Sequence, residues 1–217
     1  MVKLLSIFVF LFSSSVWAKV TEPVIQRYGI IGTNMSGSRL AVILTHFGPS
    51  SGAPFANLLV MEAGKSDPLL KDGRFMMEGG ETELAQLASA LLEKNRAALA
   101  GLGIDKSSPI YGDANFILES FETPIKGVMD IENVGIVKFR IESGKADHCS
   151  EPFTHMTVTL GSQTLSKEPN SSNECWAGPL QLRNIVRTKA AAWFFILKKG
   201  DALGAPFFEV NVLGLNW

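Results

Sequence analysis

Cysteine and histidine are scarce in this chain, with two and three respectively among 217 residues. Two thiols cannot supply a disulfide scaffold or a four-thiolate zinc site. An excess of one charge is missing too. Twenty Lys and Arg stand against 21 Asp and Glu, a formal net charge of -1. Binding a phosphate backbone needs a basic face that usually tips this balance, so no nucleic-acid partner is expected. Charged residues make up 19% and hydrophobic ones 46%, which argues against wholesale disorder. No apolar run is long enough to cross a hydrocarbon core of about 30 Å. Motifs of common chemistries are missing as well: H-E-x-x-H, a P-loop, and G-x-G-x-x-G between a strand and a helix are absent, and residues 48–52 (GPSSG), with two serines, hold a proline that suits a loop rather than a nucleophile elbow.

The first eighteen residues do have a pattern. Lys3 precedes the apolar run 4–12 (LLSIFVFLF), three serines follow, and Val16-Trp17-Ala18 closes the segment. A basic start, a short apolar stretch and small residues before a cut describe a secretory signal peptide. Cleavage between Ala18 and Lys19 is expected. Residues 19–217 would then form one exported domain, periplasmic or secreted and not membrane-spanning after cleavage. No cysteine follows the cut, so a lipid anchor is not indicated.

Export changes the meaning of Cys149 and Cys175. Two lone cysteines in an oxidising compartment most often pair. Closing a loop of about 27 residues contributes roughly 3.5 kcal/mol in the chain-entropy model. The alternative is a metal or hydrolytic site built from His148, Cys149 and His155, next to Asp147 and with Cys175 as a distant ligand. Zinc ligands usually arrive in closer, regular pairs, so no metal or other cofactor is expected. The third histidine, His46, sits in a strand-like segment and reads as a packing or surface residue.

Periodicity predicts a mainly β protein: antiparallel sheets, sandwich-like or α+β, with one inserted amphipathic helix. Strands are expected at 28–33, 40–47 and 55–61, joined by Gly/Pro/Ser turns. Residues 63–80 carry Gly64, Pro68, Gly73, Gly79 and Gly80 and read as turns. From about 81 to 101 the period becomes helical, with Leu84, Leu87, Ala88, Leu91, Leu92, Ala98 and Leu99 on one face. Glu81 and Glu83 suit its positive N-terminal end. Further strands are expected at 115–121, 135–142, 156–160, 181–188, 192–197 and 207–215. Trp193, Phe195 and Phe207 are candidates for a binding surface. Neighbours in a strand point to opposite faces, so part of each aromatic group should be core. The alternation of Leu213, Leu215 and Trp217 resembles a membrane-barrel strand but fails at Asn211.

One stretch carries a family pattern. It runs Asn34-Met35-Ser36-Gly37, Leu40-Ala41-Val42, Phe47-Gly48, Ser51-Gly52-Ala53-Pro54-Phe55-Ala56 and Leu58-Leu59-Val60-Met61-Glu62. In this order it resembles a bacterial "predicted secreted protein" family, a domain of unknown function. The Ala-rich helix near Gly103-Ile104 and two cysteines in a strand-rich second half are similar too. Ser36 and Ser50 stand where that family has aspartates. The N-terminal hairpin also looks like one blade of a TolB-type propeller, but a single blade cannot close a propeller. The resemblance implies export and a β fold and brings no assigned activity. The expected role is a non-catalytic binding or accessory protein of the cell envelope, its partner an unknown envelope protein or small ligand. The alternative is a periplasmic hydrolase or metal-dependent enzyme.

Overall fold

The computed structural model describes residues 24–48, 52–104, 116–120, 123–131, 134–145, 147, 149, 155–168, 180–202 and 205–217. β1 (Val24–Ile25) is a two-residue strand. β2 (Arg27–Thr33), β3 (Arg39–Phe47), β4 (Pro54–Glu62) and β5 (Leu70–Phe75) form a first antiparallel meander. Helices α1 (Glu81–Lys94) and α2 (Arg96–Gly101) follow. β6 (Phe116–Ser120), β7 (Ile125–Ile131), β8 (Gly135–Gly144), β9 (His155–Leu160) and β10 (Gln163–Lys167) form a second antiparallel meander. β11 (Gln181–Arg187), β12 (Ala191–Ala202) and β13 (Ala205–Asn216) form a third sheet, with β1 added in parallel to β13. The mainly β expectation holds, with helices confined to one insertion.

The third sheet is the central layer. Along β12, Ala192, Phe194 and Ile196 pack against Met129, Phe139, Ile141 and Val158 of the second meander. The alternate residues Ala191, Trp193, Phe195 and Leu197 pack against Leu40, Val42, Leu44 and Met61 of the first. A strand covered on both faces needs an unbroken apolar run, and AAWFFIL is one. The first meander is itself sandwiched. Ala41, Ile43, Ala56, Leu58 and Val60 turn away from the central sheet and pack under Leu87, Leu91 and Leu99 of the helices. The layer order is therefore helices, first meander, central sheet, second meander.

Two close approaches fix the central sheet, one within it and one to the first meander. Gly214 sits opposite Trp193. A Cβ there would lie 2.4 Å from the indole, so only glycine lets the ring lie flat on β13. Thr188, 1% exposed, accepts a hydrogen bond from Trp193 Nε1 at 3.2 Å and donates to the Gly37 carbonyl. Gly37 has a φ of 78° and no room for a Cβ against Lys189 N, so the β2–β3 turn fits onto the β11–β12 turn.

The helix departs from expectation in one respect. The single helix foreseen over 81–101 is broken at Asn95 into α1 and α2. Asn95 donates from Nδ2 to the Leu91 carbonyl at 2.9 Å and to Asp72 at 2.8 Å, tying the helix end to β5. An amide that competes for backbone partners in this way does not sustain a helix interior. At the other end Gly80 N–H donates to the Glu83 carboxylate at 2.8 Å, which holds that carboxyl below its usual range. β5 occupies part of the segment read as turns, and β7 and β10 were not foreseen.

Candidate functional site

Most residues singled out from the sequence do not come together. Trp193 and Phe195 are both 0% exposed, so they build the core and offer no binding surface, a correction to that expectation. Phe195 stacks on Tyr28 with ring centroids 4.4 Å apart. Phe207 lies in β13 opposite Gly200, and its side chain falls outside the described residues. Ala18, Lys19, His148 and Cys175 lie outside them as well. Cys149 is buried and is not a free thiol. His155 is engaged on both ring nitrogens, with Glu168 at 3.1 Å and Thr157 at 2.7 Å. Among the described residues no three His, Cys, Asp or Glu are grouped to hold a metal. Nor is any of their helices long and apolar enough to cross a membrane.

A different constellation forms at the open edge of β13. β1 pairs with β13 only at Phe207 and Phe208, so beyond this point that edge has no neighbouring strand among the described residues. Gln26 takes over where β1 stops: its Oε1 accepts the Val210 N–H at 3.0 Å. Further along, Gly64 N–H donates to the Gly214 carbonyl at 2.7 Å. Between these two closures lies a cleft of about 190 Å³, walled by β4 and β5 on one side and β10 on another.

Strand alternation decides what lines it. Ala56, Leu58 and Val60 face the helices, so Asn57, Leu59 and Met61 of β4 face the cleft. In β5, Leu70 and Asp72 face the helices, which leaves Lys71 on the cleft side, exposed at its mouth. Leu44, Leu59, Val210 and Val212 contribute apolar wall. Into this setting β13 places Asn211, 4% exposed, whose amide Nδ2 has no hydrogen-bond partner. Leaving a buried donor unsatisfied costs about 1–3 kcal/mol. Sites that carry such a cost usually have a reason for it.

The charges are uneven. Glu209 pairs with Lys198 at 2.9 Å. Lys167, half-buried at the end of β10, and Lys71 have no acidic partner within salt-bridge distance among the described residues. Burial pushes the Lys167 ammonium below its usual range. The positive charges of Lys198 and Lys71 add to this, while Glu209 and Asp67 oppose it in part.

Compared with protein-family models, with curated proteins and with solved structures, the chain matches none of them. The reading of this cleft rests on its own chemistry.

His46 borders the same region through Gln26. Because Gln26 Oε1 is held by the Val210 N–H, its Nε2 must be the donor toward His46 Nδ1, 3.4 Å away. That requires an unprotonated Nδ1 on a ring stacked against Phe55 with centroids 4.9 Å apart. Burial lowers the His46 pKa, with the Glu209 charge acting in the other direction.

Sequence reasoning did not find Lys71 or Lys167, because nothing local joins a lysine on β5 to one on β10. Asn211 did leave a signal. It is the position at which the apolar alternation of β13 fails.

Proposed function

We propose that this protein is an exported, non-catalytic binding or accessory module of the bacterial cell envelope, and that its ligand seats in the cleft beside β13. The cleft carries this reading: two lysines without an acidic partner among the described residues line it, beside Asn211, whose fully buried amide donor has no partner. Export is supported by the signal-peptide pattern of residues 1–18, with Lys19 as the mature N-terminus. A Cys149–Cys175 bridge fits that compartment, supported by the buried and bonded state of Cys149 in a chain with two cysteines. Likeness to the secreted family of unknown function agrees with this setting. The hydrolase alternative draws less support, because Cys149 is not free to act as its nucleophile, although His155 sits between Glu168 and Thr157 as a catalytic histidine can.

Two measurements test the reading. Intact mass of protein recovered from the periplasm should begin at Lys19 and be two hydrogens lighter than the reduced chain. A retained residue 1–18 segment or free thiols would contradict it. The low-molecular-mass periplasmic fraction should raise the melting temperature of the wild-type protein. It should leave Asn211→Leu, which keeps the side-chain volume without the amide, unshifted. Equal shifts in both proteins would place any ligand elsewhere and refute the assignment of the cleft.

A further inference from the structure

We propose that the ligand of this cleft is a small oxyanion, a carboxylate or phosphate group held between Lys167 and Lys71, toward which the Asn211 amide, fully buried in the free protein, turns to donate to one of its oxygens. This rests on the reading of the cleft as the ligand seat and goes further by naming the chemistry that fits it.

Size sets the first limit. A dry protein cavity of about 150 Å³ accommodates a single six-membered ring. The 190 Å³ here suits a molecule of that order, well below the usual volume of larger ligand sites. An extended polymer or a large cofactor could place only one terminal group inside.

Sign sets the second. The unsatisfied group on Asn211 is a donor, so the missing partner is an acceptor. Both unpaired charges facing the space are ammonium groups, those of Lys167 and Lys71. Glu209 would repel an anion, but Lys198 holds it at 2.9 Å. Gln26 has its amide oxygen on Val210 and one N–H on His46, so what it has left is a donor, which also suits an anion. A cation would find one carboxylate already neutralised and two ammonium groups opposed to it. A neutral apolar molecule would leave the amide donor and both charges unanswered.

The electrostatics of Lys167 add a signature. In the empty cleft its ammonium is disfavoured by burial and by Lys198 and Lys71, and Glu209 and Asp67 compensate in part. An oxyanion supplies the missing counter-charge, so binding should take up a proton wherever Lys167 is partly deprotonated. Affinity should therefore decline at a lower pH than an ordinary lysine pKa of about 10.4 would allow. His46, which borders the site through Gln26, titrates in a lower range and does not account for an alkaline loss.

The test is calorimetric titration of the full mature protein with inorganic phosphate, with succinate and with the uncharged analogue succinamide. Phosphate or succinate should bind, and the tighter of the two identifies the headgroup. Succinamide should not bind. Lys167→Gln should weaken binding roughly tenfold or more, and Lys71→Gln, more screened at the mouth, by a few-fold. Lys189→Gln on the β11–β12 turn should change nothing. Melting curves of the ligand-free variants show whether each is folded. Binding unchanged by Lys167→Gln, or an amide that binds as well as the acid, would overturn the proposal. If neither anion binds while the periplasmic fraction still stabilises wild type and not Asn211→Leu, the oxyanion inference fails and the ligand seat stands. If that fraction also fails to discriminate, both fall.

Discussion

Replacing Gly214 with alanine should be among the most damaging single-methyl additions this fold can receive. The new Cβ would stand 2.4 Å from Trp193 Cζ3, 2.5 Å from Cε3 and 2.9 Å from Cη2. Carbon atoms rest about 3.5–4.0 Å apart, so the ring or the strand must move by roughly 1 Å. Neither can do so freely. Trp193 is 0% exposed and tethered through Nε1 to Thr188, and β13 is paired with β12 along its whole length. Overpacking of this kind typically costs about 1–3 kcal/mol. For a domain of this size each kcal/mol lowers Tm by about 2–4 °C, so a fall of roughly 2–12 °C is expected in thermal unfolding followed by circular dichroism. A double-mutant cycle isolates the cause. Trp193→Phe removes the outer edge of the indole and is destabilising alone, but it should relieve the alanine. The double variant should then be more stable than the sum of the two losses predicts, by about 1 kcal/mol. Strict additivity, or a Gly214→Ala protein within about 0.5 kcal/mol of the parent, would refute the argument.

Thr188→Val leaves the Trp193 indole N–H and the Gly37 carbonyl without this partner, and should cost about 1–3 kcal/mol in urea unfolding. Thr188→Ser, which keeps the hydroxyl, should recover most of that loss. His46 has a folded pKa below its unfolded value, so the unfolded chain takes up its proton first on acidification. Its stabilising effect is complete above about pH 6.5 and is lost as pH falls from there through the folded value. His46→Gln should flatten this part of the stability profile, and an unchanged profile would exclude His46 as its source. Asn211→Leu should stabilise the ligand-free protein by about 1 kcal/mol, because it removes an unpaired buried donor without opening a hole. A destabilised variant would mean that the amide has a structural role.

Continuous apolar runs were the most legible part of the chain. Residues 40–44 (LAVIL) and 191–197 (AAWFFIL) both read as strands, and both lie between two layers. What the runs could not disclose is that two further layers exist to cover them. This is why Trp193 and Phe195 looked like possible surface residues: a half-covered strand and a fully covered one share the same apolar text wherever aromatics cluster. β5 (LKDGRF) was hidden for another reason. It is an edge strand whose residues are largely exposed, with Gly73 packed against Asn57, so apolar periodicity had little to act on. The break at Asn95 depends on Asp72, a partner 23 residues away. The cleft is assembled in the same long-range way, from lysines on strands of two different sheets.

The order of strands along the chain has a consequence for how the protein is made. β11, β12 and β13 come last, yet both large apolar clusters close on them. While only the first meander has emerged, Leu40, Val42, Leu44 and Met61 have nothing to pack against. β1 likewise waits for a strand roughly 180 positions downstream. Contacts at this separation form slowly, and the chain remains open until its final segment arrives. Under the export proposed above, late closure would help the chain thread a narrow translocation channel. The same arrangement makes truncation severe: without β11–β13 the nascent chain presents two unmatched apolar faces at once, the kind of species that chaperones retain and proteases remove.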